Sequence, residues 1–215
     1  MKSDTPLNRE RILLAAIKLA DDTEISKLTM RSLAKAFGVT PMSLYRYYPN
    51  KDALLHQMLD EVFNKIYRPV VGNPWRKEMF ENAHSVRRVL LEHTWALSLI
   101  ESRADPGPAT LAHHDALIGT LCAAGFEMAL VAQAFSTLDA YVYGFVLQEI
   151  TLPFDANEEQ HETIQASVEQ APDDGAYPHL MALATQHFAQ PGYNFGDQFD
   201  FGLNLILDGL EKHAL

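Results

Sequence analysis

Between Thr29 and Lys51 the chain carries three helix starts and two hard stops. Thr29, Thr40 and Asn50 are residues whose side-chain oxygens accept hydrogen bonds from first-turn amides. Gly38 follows the last apolar position of the first segment, where a left-handed residue ends a helix at little cost. Pro41 stands at the first helical position of the second segment, where a missing N–H does no harm. Pro49 disfavours helical geometry at Tyr48. The spacing predicts a helix over 29–37, a glycine turn and a second helix over 40–48. Segments this short do not stand alone in water, so they must rest on neighbours. Leu33 and Phe37, and then Leu44 and Tyr48, are each four apart and supply the inner faces.

The neighbours are legible too. In 9–21, Ile12, Ala16 and Leu19 share a face flanked by Leu13, Ile17 and Ala20. A long helix over 51–67 carries Leu54, Leu55, Met58, Leu59, Val62, Phe63 and Ile66. Beyond "RPVVGNP" the pattern stays helical, with helices expected near 74–91, 94–102, 108–123, 127–150, 177–190 and 195–213. The acidic, weakly apolar stretch 151–176 is expected to be partly disordered. The expected fold is therefore all-α. A three-helix helix-turn-helix domain, 1–52, is joined by a long helix to a helical body, 53–215.

Charge separates the two parts. Residues 1–52 hold nine Lys and Arg against six Asp and Glu, a net +3; the rest hold eight against twenty-two, a net −14. A basic head on an acidic body suits a head that meets an anion such as DNA. Cys122 is the single cysteine, so no intrachain disulfide forms, which fits a reducing, cytoplasmic setting. The start lacks the apolar core of a signal peptide, and no uninterrupted apolar run approaches the ~18 residues of a membrane span. No membrane partner is expected.

Enzyme chemistry finds little support. There is no nucleophile elbow, phosphate loop, CxxC or HExxH. His113 and His114 are adjacent, so on a helix their rings diverge by roughly 100° and do not share a metal. No metal or other cofactor is expected. Ser136, Asp139 and Tyr143 are the polar grouping on which a helical enzyme would have to rest. A further alternative is an interaction protein whose helix-turn-helix no longer binds DNA.

The second short helix presents Pro41, Met42, Ser43, Arg46 and Tyr47 outward. Small side chains at its leading turn admit it to the major groove, where leading residues meet base edges. Tyrosine hydroxyls and ammonium groups suit the phosphates at the groove edge.

The run "LTMRSLAKAFGVTPMSLYRYYPNKDALLHQML", Leu28 to Leu59, resembles the DNA-binding domain of the TetR family of bacterial transcriptional regulators. Thr29, Leu33-Ala34, Gly38-Val39, Leu44-Tyr45, Tyr47 and Asn50-Lys51 fall in the family register. The resemblance implies phosphate contacts at Tyr45, Tyr47 and Lys51, and base contacts among Arg31, Thr40, Pro41, Met42, Ser43 and Arg46, with Thr29 at the edge of the surface. The closing "FGDQFDFGLNLILDGLEKH" looks like the last helix of the tetracycline repressor subclass. There that helix packs against its copy, with the helix matching 127–150, in a four-helix dimer interface. Phe199, Leu203, Ile206, Leu207 and Leu210 are the expected interface residues. The expected function is a homodimeric regulator of a palindromic double-stranded DNA operator, most simply a repressor released by a small apolar or aromatic effector.

The effector site is the least defined element. His93, Trp95, Arg103, His113, Phe126, Thr137, Tyr141 and Phe145 combine apolar walls with a few hydrogen-bonding groups, as a small-molecule pocket requires. Each has a plainer alternative: Trp95 and Phe126 as core, Tyr141 and Phe145 as an ordinary packed stripe, Arg103 as a charge at a helix end.

Overall fold

The computed structural model describes residues 6–100, 106–151 and 177–213. Arg103 and nearly all of the stretch 151–176 lie outside the described residues. The described elements are helical. They are α1 (Arg9–Asp22), α2 (Met30–Phe37), α3 (Pro41–Tyr45), α4 (Lys51–Lys65), α5 (Trp75–Glu92), α6 (Leu97–Ile100), α7 (Pro108–Ala123), α8 (Met128–Thr151), α9 (Pro178–Leu183) and α10 (Phe199–His213). Contacts divide the chain into two compact units, Met1–Phe135 and Ser136–Leu215, so the boundary falls within α8.

The local punctuation of the head acts as its chemistry dictates. Asn8 caps α1 through its side chain, at 2.8 Å from the Arg11 amide. Thr29 and Ser32 form a reciprocal capping box at the start of α2, each side-chain oxygen 2.9 Å from the other residue's amide. Gly38 ends α2 at φ 64°, a conformation that disfavours any Cβ. Asn50 caps α4, accepting from the Ala53 amide at 2.7 Å. Thr40 caps nothing with its side chain; its hydroxyl lies 3.1 Å from that of Ser43.

One boundary differs from the expected one. The recognition segment is helical only to Tyr45, and Tyr47 and Tyr48 both turn back to donate their amides to the Leu44 carbonyl. Pro49 disfavours helical geometry at Tyr48, and the chain leaves the helix early enough for Tyr48 to reach the start of α1 and Tyr47 the segment before it. Tyr48 is fully buried, and its hydroxyl donates to the Arg9 carbonyl at 3.2 Å. Ile12, Ala16, Leu33, Leu44, Leu54 and Met58 complete a closed core beneath the head.

The helix α4 then serves both head and body, packing on α1, α5 and α7. Its Asp60 caps α7 from outside that helix, accepting from the amides of Ala109 (2.9 Å) and Thr110 (3.0 Å). A negative charge at a helix N-terminus is stabilising there. Gly107 leaves room for it, since a Cβ at that position would collide with the Asp60 carboxyl group. Buried Glu78 pins the loop before α5, accepting from the Tyr67 hydroxyl (2.6 Å), the Val70 amide (2.9 Å) and Asn73 Nδ2 (2.9 Å).

In the second unit, the later part of α8 meets α10 through aromatic rings. Tyr141 stacks on Phe199 and donates to its carbonyl at 2.7 Å, while Phe145 lies against Phe195 and Phe199. Gly202 permits this approach, because a Cβ there would strike the Tyr141 ring. The expected helix over 177–190 is divided: α9 passes into a wider turn over Ala184–Phe188, where the Ala189 amide bonds the Ala184 carbonyl at 2.8 Å.

The expected dimer residues are largely turned inward. Phe199, Leu203, Leu207 and Leu210 are buried within the chain itself, and Ile206 is half-buried. The exposed apolar side chains of α10 are instead Phe201 and Leu205, 69% and 58% accessible. The closing helix is apolar around more than one face, so helical periodicity alone did not tell which face turns inward.

Candidate nucleic-acid interface and effector cavity

The surface opposite the head core is formed by α2, α3 and the start of α4. Arg31, Thr40, Pro41, Met42, Tyr45 and Arg46 are exposed, and Ser43 and Lys51 are half-buried. Met42 is 73% accessible, a large apolar side chain placed in solvent at the tip of α3. Leu44 underneath is fully buried and holds the short helix to the head. The sequence reading omitted Lys35, which is exposed one turn after Arg31 on α2. Its i,i+4 spacing from Arg31 was the available signal.

Two expected contacts have other commitments. The Tyr47 hydroxyl donates to the Leu7 carbonyl at 2.7 Å, so it anchors the segment leading into α1 rather than standing free for a phosphate. The Thr29 hydroxyl is engaged in the capping box, which makes it a support of α2.

The expected effector residues that are described each have partners within their own unit or face solvent. His93 and Trp95 are buried and both hydrogen-bond Asp21. Phe126 packs edge-on against Trp75, with ring centroids 4.9 Å apart. Tyr141 and Phe145 belong to the aromatic cluster with Phe199, and Thr137 is exposed. Arg103 lies outside the described residues. His113 is buried against the edge of Phe63, and its Nδ1 has no hydrogen-bond partner. Local spacing had placed these side chains on helices, but their partners lie far away in the chain.

Hollows lined by described residues of the first unit include two of note. One is a groove of about 720 Å³ along α5, bordered by Tyr67, Ser85 and Leu91 and by the charged Glu81, Arg87, Arg88 and Glu92. The other is a more enclosed cavity of about 200 Å³ between α4 and α7. Leu59 and Phe63 of α4, Ile100 of α6 and Pro106 give it apolar walls; His56, Thr110 and His114 give it polar groups. Among the described residues, no group of three His, Cys, Asp or Glu side chains is close enough to hold a metal ion.

A trihelical head with an exposed recognition helix, set on a long helix that also walls a cavity, defines a helix-turn-helix DNA-binding regulator. The comparisons make the class specific. Residues 12–58 match the family model "Bacterial regulatory proteins, tetR family", and residues 68–214 match "Tetracyclin repressor-like, C-terminal domain". The chain belongs to the TetR family and is a sequence-specific DNA-binding transcriptional regulator. DNA binding and dimerisation are general to the family.

The chain is 37% identical over 144 residues to an HTH-type transcriptional regulator of Saccharopolyspora erythraea, a match that covers 66% of this chain and 61% of that relative. It is 30% identical over 214 residues to the class A tetracycline repressor from transposon 1721 of Escherichia coli, covering 98% and 94% of the two chains. A crystal structure described as a possible TetR family transcriptional regulator from Streptomyces coelicolor aligns at a TM-score of 0.77 and 28% identity, covering 95% and 99%.

Proposed function

We propose that the protein is a homodimeric repressor of a palindromic operator, released by a small, largely apolar or aromatic ligand bound between α4 and α7. The carrying observation is that α4 belongs to both sites. Its first turn supplies Lys51 to the DNA-facing surface, while Leu59 and Phe63 wall the cavity two to three turns later. A ligand that wedges α4 from α7 would tilt the head and shift the population away from the DNA-bound arrangement. In this reading 1–52 is the DNA-binding domain and 53–215 the effector and dimerisation domain, with α4 the element between them. The tetracycline repressor relative supports the repressor sense.

The enclosed cavity suits the ligand better than the groove on α5. Its walls are apolar, whereas the groove carries four charged side chains that remain hydrated. Its size sets an upper limit of about one or two rings. His114→Trp would fill part of the cavity and should abolish release of operator by ligands that act on the wild type. Leu91→Trp, in the α5 groove, should leave release intact. Titrating ligand hits from a thermal-shift screen against a fluorescent operator distinguishes the two, and the reverse pattern would move the effector site to α5.

On the DNA side, Lys51→Ala should weaken binding to every duplex and lower the salt dependence by about one phosphate contact. Met42→Ala or Ser43→Ala should instead change the preference among operators. Selection from a random DNA pool at two salt concentrations checks both. Identical preferences in all three proteins would remove base reading from α3.

A further inference from the structure

Asp21, near the end of α1, accepts two hydrogen bonds on the same oxygen. His93 Nδ1 and Trp95 Nε1 each lie 2.7 Å from its Oδ1. On the other side of the imidazole, Nε2 lies 2.9 Å from Nζ of Lys65, the last residue of α4. The partners fix the protons. A carboxylate only accepts, so Nδ1 carries the hydrogen; Nε2 then offers a lone pair, and the ammonium donates to it. One imidazole therefore joins a helix of the head, the end of the connecting helix and the corner between α5 and α6.

His93 and Trp95 are both 5% accessible, so the ring side of these bonds is covered, while Asp21 and Lys65 reach in from the surface. Elsewhere α1 packs on α2 and α4, and through Asp21 it holds the corner at Thr94–Ala96. The corner is wound tightly, with the Ala96 amide on the His93 carbonyl at 2.9 Å, so both rings have little freedom to follow a moving α1.

We propose that Asp21, His93, Trp95 and Lys65 form a latch that fixes the angle of the head, and are thereby positioning residues for operator recognition. The proposal rests on the reading of two heads on a palindrome. A fixed angle sets the distance between the two recognition helices, and that distance must match half-sites roughly 34 Å or a multiple apart. The latch also touches the effector path: Phe63, in the cavity wall, stands two residues before Lys65. A displacement of α4 by a ligand pulls the ammonium from Nε2 and loosens the same joint.

The test is operator binding by the full-length dimer to a set of duplexes whose half-sites are moved together or apart by one or two base pairs. The wild type should bind its optimal spacing at least about tenfold better than either neighbour. His93→Phe keeps a ring but loses both hydrogen bonds, and Asp21→Asn weakens the acceptor for two donors. Both should bind the optimal operator more weakly and discriminate among spacings less than about threefold. His93→Asn, which retains a donor near Asp21, should recover part of the discrimination. Val89→Ala, a core truncation outside the latch, controls for stability and should keep the wild-type spacing ratio even where its melting temperature falls as far. A His93→Phe protein with the wild-type ratio would overturn the latch alone. A wild type indifferent to spacing would overturn the latch and the palindromic reading together.

Discussion

Phe201→Glu combined with Leu205→Glu should turn the protein into a monomer and lower operator affinity by at least about a hundredfold. The two side chains lie one turn apart on α10 and face outward, while Phe199, Leu203 and Leu207 on the other face are fully buried. On α8, Leu147 and Ile150 are also exposed. That helix is long and apolar enough to cross a membrane by length and composition, yet only 33% of its most apolar window is buried within the chain. Dimerisation is general to the family, and we propose that a second copy covers this surplus apolar surface, on the same patch of both subunits. Charges placed there sit in water in the monomer and meet each other at the symmetry axis of a dimer. A single head then loses the gain that comes from tethering a second one. Light scattering at micromolar concentration and an operator titration read the two effects. A double variant that remains dimeric would move the interface away from Phe201 and Leu205. Leu203→Glu would be uninformative about assembly, because it places a charge in the intrachain core and unfolds the second unit.

Acid should expose two buried groups that oppose each other. Burial, aided by the charges of His114 and Arg68, pushes the His113 imidazole down to about 4 from an ordinary 6.5. Burial pushes the Asp139 carboxyl up to about 6 from 3.8. For His113 the unfolded chain takes up a proton near pH 6.5 and the folded chain not until about 4, so stability falls as pH drops through that window. The shift corresponds to about 3 kcal/mol. For Asp139 the folded chain takes its proton first, near pH 6, so stability rises as pH drops from about 6 to 3.8, by a similar ~3 kcal/mol. The two contributions largely cancel between pH 6 and 4. Asp139→Asn should therefore be more stable than the wild type at pH 7 and lose that advantage steeply on acidification. His113→Asn should show the reverse slope, gaining relative to the wild type as pH falls. Urea denaturation at pH 7 and pH 4.5 measures both. Slopes equal to that of the wild type in both variants would show that neither group is buried as described.

What the sequence by itself determined lies close together along the chain. The caps at Thr29 and Asn50, the left-handed stop at Gly38 and the helix-entering Pro41 act on amides within four residues. Their outcome depends on backbone geometry that any surroundings would respect, so the starts of the head helices and the glycine turn were legible, while the early end of α3 at Tyr45 was not. Helical spacing likewise placed α7 at 108–123 and α8 within one residue of its observed ends. The partners of side chains across the chain were decided only by the tertiary structure. His93 and Trp95 had the composition of a pocket, but Asp21, more than seventy positions away, claims both. Tyr47 had the position of a phosphate contact, and the Leu7 carbonyl, forty positions away, takes its hydroxyl. On α10, periodicity grouped the apolar residues into faces without telling which face would be covered by the chain and which left for a partner. Local spacing specifies which side chains travel together on a helix; what they meet depends on how the helices pack, and that is set by the burial of the whole core at once.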